Sequence, residues 1–113
     1  MAESWVAIPR RSFRDFETKF RPALRAPAVS FWLKAVLRAN WEATHLDGTP
    51  LARGQFVYGR EEMAQELGIS VQKLRTIVKH LKNMGEMTIE TTSKGTIATV
   101  VYYETYAGDH RKN

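Results

Sequence analysis

Residues 60–85 read REEMAQELGISVQKLRTIVKHLKNMG, and the hydrophobic spacing inside this stretch decides the fold. Its first part predicts a short helix over 60–67. Glu61 and Glu62 stand against its positive N-terminal end, Met63, Ala64 and Leu67 face inward, and Gly68 stops it. Ser70 is placed to cap a second helix from 71 to about 84, where Leu74, Ile77, Val78 and Leu81 recur at helical spacing before Gly85. Two helices three or four residues apart, the first short and the second basic, have the arrangement of a helix-turn-helix.

Downstream, the period changes to two. Met87, Ile89 and Thr91 alternate with polar residues, Ser93-Lys94-Gly95 supplies a turn, and 97–106 is rich in Thr, Val and Tyr, which predicts a β-hairpin in the position of a wing. Upstream, 54–59 offers a short extended piece, and THLDGTPLARG (44–54) reads as a surface loop marked by Asp47-Gly48 and Pro50. Residues 28–40 read as the central buried helix, with Phe31 or Trp32, Ala35, Val36 and Ala39 inward and Ser30 as a cap for a slightly later start. Pro22 and Pro27 bracket a connection. Before it, an opening segment mixes Trp5, Val6 and Ile8 with Phe13, Phe16 and Phe20, the last three at helical spacing that suits a short helix or turn covering the core. The expected class is α+β: a winged helix-turn-helix over 28–106, a basic N-terminal helical extension over 1–27 packed on the core, a C-terminal β-hairpin wing and a polar tail over 107–113.

A chain of 113 residues is the size of one domain, and its 43% hydrophobic content is enough for an ordinary core. Seventeen Lys and Arg against 12 Asp and Glu give a net charge of +5, which favours polyanions as partners and excludes an acidic DNA mimic. The charge is segregated: 1–38 carries +5, 39–69 carries −3, 70–94 carries +3 and 95–113 is neutral. Cysteine is absent, which removes disulfides, thiolate catalysis and cysteine-based metal sites. Neither an export signal nor a membrane span is legible, and a cytoplasmic location, nucleoid-associated or in a host cell, is the expectation.

No Asp or Glu occurs from Ser70 through Gly85. The positions left over by the apolar stripe are Gln72, Lys73, Arg75, Thr76, Lys79, His80, Lys82 and Asn83, nearly all hydrogen-bond donors on an element that fits the DNA major groove. Gln72, Lys73 and Thr76 are the expected base contacts; Arg75 and Lys79 can reach bases or backbone. A donor-rich wing tip with Thr91, Thr92, Ser93 and Lys94 is placed for the minor groove or phosphates, and Arg10, Arg11 and Arg14 suit an N-terminal arm or, equally, a solubilising edge or protein contact. Arg21, Arg25, Lys34 and Arg38 are spread over a loop and a helix and are not assigned to one site. There is no phosphate-cradling glycine loop, no Cys nucleophile and no recognisable carboxylate pair, and His45, His80 and His110 lack a ligand pattern. The expectation is therefore a non-enzymatic protein without metal or cofactor.

AVSFWLKAVLRANW (28–41) and ARGQFVYGREEMAQELGISVQKLRTIVKHLKNMGEMTIETTSKGTIATVVYYETY (52–106) together resemble the N-terminal winged-helix domain of phage replisome organisers and related DnaD-like replication-initiation proteins. The likeness rests on the aromatic-aliphatic helix ending in Ala39-Asn40, the Gly54-Gln55-Phe56 lead-in, Leu67-Gly68-Ile69-Ser70, Leu74-Arg75, Leu81 and the Thr96-Ile97 strand leading to Tyr106. It implies origin-DNA binding and recruitment of a replicative helicase or its loader, sometimes by an oligomer. The sequence departs from the pattern at Tyr58-Gly59, where a Thr-Ser pair commonly caps the first helix of the motif. The 113 residues also leave no space for a helicase-recruiting module, which suits either a unit of a larger initiator or a stand-alone phage or plasmid regulator. Sequence-specific duplex binding in replication initiation or regulation is the leading expectation. The alternative is a protein-interaction module, such as an inhibitor of a host nucleic-acid machine, and a homodimer is compatible with both.

Overall fold

The computed structural model describes residues 7–40, 42–46 and 48–106. Expectations that fall on Trp5, Val6, Asp47, His110 and the tail lie outside the described residues. Those described form a mixed α+β domain with two small antiparallel sheets: α1 (Arg10–Lys19), α2 (Pro22–Arg38), β1 (Thr44–Leu46), β2 (Thr49–Leu51), β3 (Gln55–Tyr58), α3 (Arg60–Leu67), α4 (Val71–Asn83), β4 (Met87–Thr92), β5 (Gly95–Val100) and α5 (Tyr103–Tyr106).

The central helix begins earlier than the prolines suggest. Pro22 occupies its first turn, where the missing N–H has no intrahelical partner to lose, and Pro27 lies inside it. Ser30 is therefore an interior residue and caps nothing, and α2 crosses the expected boundary at 27/28. An interior proline costs about 3 kcal/mol. Full burial of Leu24 and Phe31 on the core face contributes about 1.5–3 kcal/mol each, enough to offset it. Both aromatic alternatives at the helix centre are inside: Phe31 and Trp32 are each 0% exposed. Phe16 of α1 and Phe20, just past its end, stack at 5.4 Å and join the same core, whereas Phe13 remains 44% exposed, its ring roughly perpendicular to that of Trp32.

The expected surface loop contains a hairpin, β1 paired antiparallel with β2. Strands of three residues are too short for alternation to announce. Gly48, at φ 81°, takes the left-handed backbone conformation that this tight connection requires.

The second sheet has the order β3-β5-β4, so that β3, which precedes α3 and α4, pairs with the far strand of the hairpin that follows them. Phe56 pairs with Ala98 and Tyr58 with Thr96; on the other edge Met87, Ile89 and Thr91 oppose Val100, Ala98 and Thr96. All but the exposed Thr91 are buried or half-buried and form the sheet face turned to the core. The strand ends at Val100 rather than continuing to Tyr106. Tyr103 and Tyr106, three apart, bury their rings by turning the chain into the short α5.

Helices α3 and α4 run as the spacing predicts, joined by Gly68, Ile69 and Ser70. Gly68 adopts φ 69° and closes α3 with its N–H on the carbonyls of Ala64 and Gln65. Ser70 Oγ accepts from the Lys73 N–H at 3.1 Å. Replacing Ser70 by Ala is expected to destabilise the domain by about 1 kcal/mol, a fall in Tm of about 3–6 °C, while Ser70→Asp keeps the cap and, beside a basic helix, the stability. Thermal denaturation followed by circular dichroism reads the difference; equal Tm for the two variants would show the cap to be inert.

Candidate nucleic-acid interface

With Leu74, Ile77 and Leu81 committed to the core, the remaining positions of α4 are sorted by the helical turn of roughly 100° per residue. Arg75, Lys79 and Lys82 follow one another along the flank that faces the sheet. Gln72, Thr76 and Asn83 form the crest, and Lys73 and His80 lie on the far flank. Between the first flank and the sheet runs a groove of about 380 Å³. Arg75, Lys79, Lys82 and Asn83 line one side, Arg60 and Thr91 the other, and Val78 and Ile89 form the floor above Leu74, Tyr58 and Thr96.

Arg60 falls outside the donors of α4 that the sequence points to, although the sequence carries a signal for it. It is the sole cation in 54–69 and sits at the first position of α3, where a positive charge opposes the helix dipole. Glu61 and Glu62 in the same turn offset that cost, with the Glu62 carboxylate folded back against Gly59. Among the described residues, the ion pairs lie elsewhere: Lys34 and Arg38 with Glu66, and Arg53 with Glu104. None involves Arg60, Arg75, Lys79 or Lys82, so four cations converge on the groove without a carboxylate ion-pair partner.

The Lys34–Glu66–Arg38 cluster explains part of the N-terminal charge. Arg38 donates to both oxygens of Glu66, at 2.7 and 3.3 Å, which raises the guanidinium pKa and, together with Lys34, holds the Glu66 carboxyl below its ordinary range. These residues brace α2 against α3. Arg25 donates through Nε to the Phe20 carbonyl at 2.9 Å and is likewise used within the fold.

The other expected contacts are not gathered at the groove. Arg10, Arg11 and Arg14 are exposed on α1, and Arg11 lies close enough to Tyr106 to favour its ionised form. His80 meets the Phe20 ring edge-on at 5.3 Å. The Thr76 hydroxyl donates to the Gln72 carbonyl, and the Thr92 hydroxyl donates to Gly95 O while accepting from the Lys94 N–H, so both hydroxyl protons are engaged locally. Lys94 reaches back along the first hairpin, its Nζ 3.8 Å from where a Cβ on Gly48 would stand. Gln72 and Lys73 are exposed at the leading end of α4.

Tyr58, beneath the groove, has its phenol pushed up to about 12 by burial, partly opposed by the Arg60 cation. Burial, reinforced by Glu86, also raises the Tyr106 phenol. A phenol whose folded pKa is raised stabilises the fold fully below its ordinary value of 10.0, and that contribution is lost as pH climbs through the folded value. Stability is therefore expected to fall from pH 10 upwards, with tyrosinate absorbance of these two residues appearing late. Tyr58→Phe should flatten the decline; an unaltered pH profile in that variant would remove Tyr58 from the account.

No group of three or more His, Asp or Glu side chains suited to a metal ion occurs among the described residues, and no helix there is long and apolar enough to cross a membrane. Comparison with family models, with curated proteins and with solved structures yields no match.

Proposed function

We propose that the chain is a winged helix-turn-helix protein that binds double-stranded DNA, with α4 entering the major groove and β4–β5 acting as the wing. The observation that carries this reading is the acid-free helix α4, whose Arg75, Lys79 and Lys82 form no ion pair among the described residues and stand beside the hairpin, with Arg60 lining the same groove. In this arrangement Gln72 and Lys73 address base edges, while the four cations of the groove hold phosphates along the sheet-facing flank of the helix. The order β3-β5-β4, with α3 and α4 between β3 and β4, supports it, because it sets the hairpin against the flank of α4. The resemblance to replisome organisers suggests an origin or a regulatory site as the target.

The test is fluorescence anisotropy of a labelled duplex titrated with the full chain at several salt concentrations. Affinity is expected to fall steeply with salt, with a log–log slope of about −0.9 per phosphate held. No binding at low salt would overturn the proposal.

A protein-contact reading has one observation in its favour. The outer face of α2, through Ala26, Val29, Ser30, Leu33 and Leu37, carries no charge, and Leu37 is 66% exposed. Its occupant in this reading is a second copy, since the groove between α1 and α2 holds both Glu17 and Arg25, which a twofold axis would pair across the interface. Light scattering should then give twice the 12.9 kDa mass for the parent and the single mass for Leu37→Glu; a monomeric parent at high concentration removes the dimer.

A further inference from the structure

We infer that the groove between α4 and the sheet is also the site of a small amphipathic anion, a flat apolar body bearing one anionic group, and that this ligand and a duplex exclude one another there. Only the exclusion rests on the DNA reading. The groove, at about 380 Å³, lies within the range of roughly 300–1,000 Å³ typical of small-molecule sites. Its lining is divided into two tiers: Arg60, Arg75, Lys79 and Lys82 stand at the rim, and Val78 and Ile89 leave apolar surface open on the floor.

A phosphodiester backbone is matched by the rim alone and offers nothing to that floor. An inorganic anion has the same deficiency, and an uncharged apolar molecule would leave the cations unrelieved. Four like charges around a low-dielectric wall repel one another in the free chain, and field lines concentrated there attract an anion more strongly than the same charges would on open surface. A ligand with both parts answers both tiers. Bound in the groove, it lies between Arg60 of α3 and the basic flank of α4, the cations that the DNA reading assigns to phosphates. Occupancy by the ligand then releases the duplex.

The experiment titrates the full chain with anilinonaphthalene sulfonate, first without DNA, in parallel with phenylnaphthylamine, which has the rings without the sulfonate, and with inorganic sulfate. Saturable one-to-one binding is expected, with both comparison compounds about tenfold weaker or more, since each lacks one of the two parts. The variant carrying Lys79→Ala and Lys82→Ala, and separately Ile89→Thr, should each loosen the sulfonate about tenfold with circular dichroism unchanged. Should Ile89→Thr impair folding, the lysine pair carries the test, because both side chains are exposed. Non-saturable binding, equal affinity for the uncharged analogue, or full affinity in the lysine variant overturns the site. In a second arm, labelled duplex is added to the loaded protein. A duplex that binds without displacing the probe overturns the exclusion, whereas a duplex that does not bind even the free chain at low salt overturns the DNA reading and leaves the ligand site to the first arm.

Discussion

Replacing Arg75 and Lys79 together by Ala is expected to lower duplex affinity about a hundredfold near physiological salt and to make the salt slope shallower by about two. The magnitude follows from two charge-assisted contacts of about 1.5 kcal/mol each, at 1.4 kcal/mol per factor of ten. Stability should move in the other direction. The two cations stand one turn apart on α4, and like charges at that spacing destabilise a helix by about 0.2–0.5 kcal/mol, while Ala is the better helix former. A Tm that holds or rises while affinity collapses is a signature that a merely structural role cannot produce. Lys19→Ala, a lysine exposed on α1, serves as the control for loss of charge without loss of site and should leave the slope in place. Retained affinity in the double variant, with folding intact, would remove α4 as the DNA-reading element.

The legible part of this protein is the part whose signals are local. The 60–85 stretch carries its own caps and stops, so Gly68, Ser70 and the Leu74–Ile77–Leu81 stripe place both helices without reference to the rest of the chain. The hairpin turn at Ser93-Lys94-Gly95 is equally plain. What could not be read depends on tertiary burial overriding local preference. Pro27 argues against a helix until Leu24 and Phe31 are seen inside, and 101–106 keeps its β-rich composition yet turns helical to bury Tyr103 and Tyr106. Within the site, the sequence yields a list of donors on α4 and says nothing of the flank on which each one stands. Only the packing of the sheet against α4 separates Arg75, Lys79 and Lys82 from His80, and only the fold brings Arg60 across to face them. Hydroxyls such as those of Thr76 and Thr92 look available in a sequence, because a bond to a neighbouring carbonyl leaves no trace in composition.

Trp32→Ala is expected to cost about 3–5 kcal/mol, a large fraction of the roughly 5–15 kcal/mol that holds a domain folded. Trp32 is 0% exposed, tilted on Phe16 at 5.2 Å and edge-on to Tyr106 at 5.2 Å, so truncation opens a cavity among aromatic rings contributed by α1, α2 and α5. A second loss is polar. Trp32 Nε1 donates to Glu86 Oε1 at 3.2 Å, and Tyr106 Oη donates to the same oxygen at 2.8 Å. Glu86 lies in the connection between α4 and β4, so this shared acceptor ties the central helix and α5 to the end of the helix that lines the groove. Three variants separate the contributions. Trp32→Phe keeps most of the apolar volume and deletes one donor, which costs about 1 kcal/mol. Glu86→Ala removes the acceptor from a buried indole and a buried phenol together and should cost about 1–3 kcal/mol. Trp32→Ala exceeds both. Because the two donors meet on one oxygen, Trp32→Phe and Tyr106→Phe should be non-additive, with a coupling of about 0.5 kcal/mol or more in urea denaturation. Strict additivity would mean that the two bonds act independently. A Trp32→Ala domain melting within a few degrees of the parent would mean that the aromatic cluster is not where the stability resides.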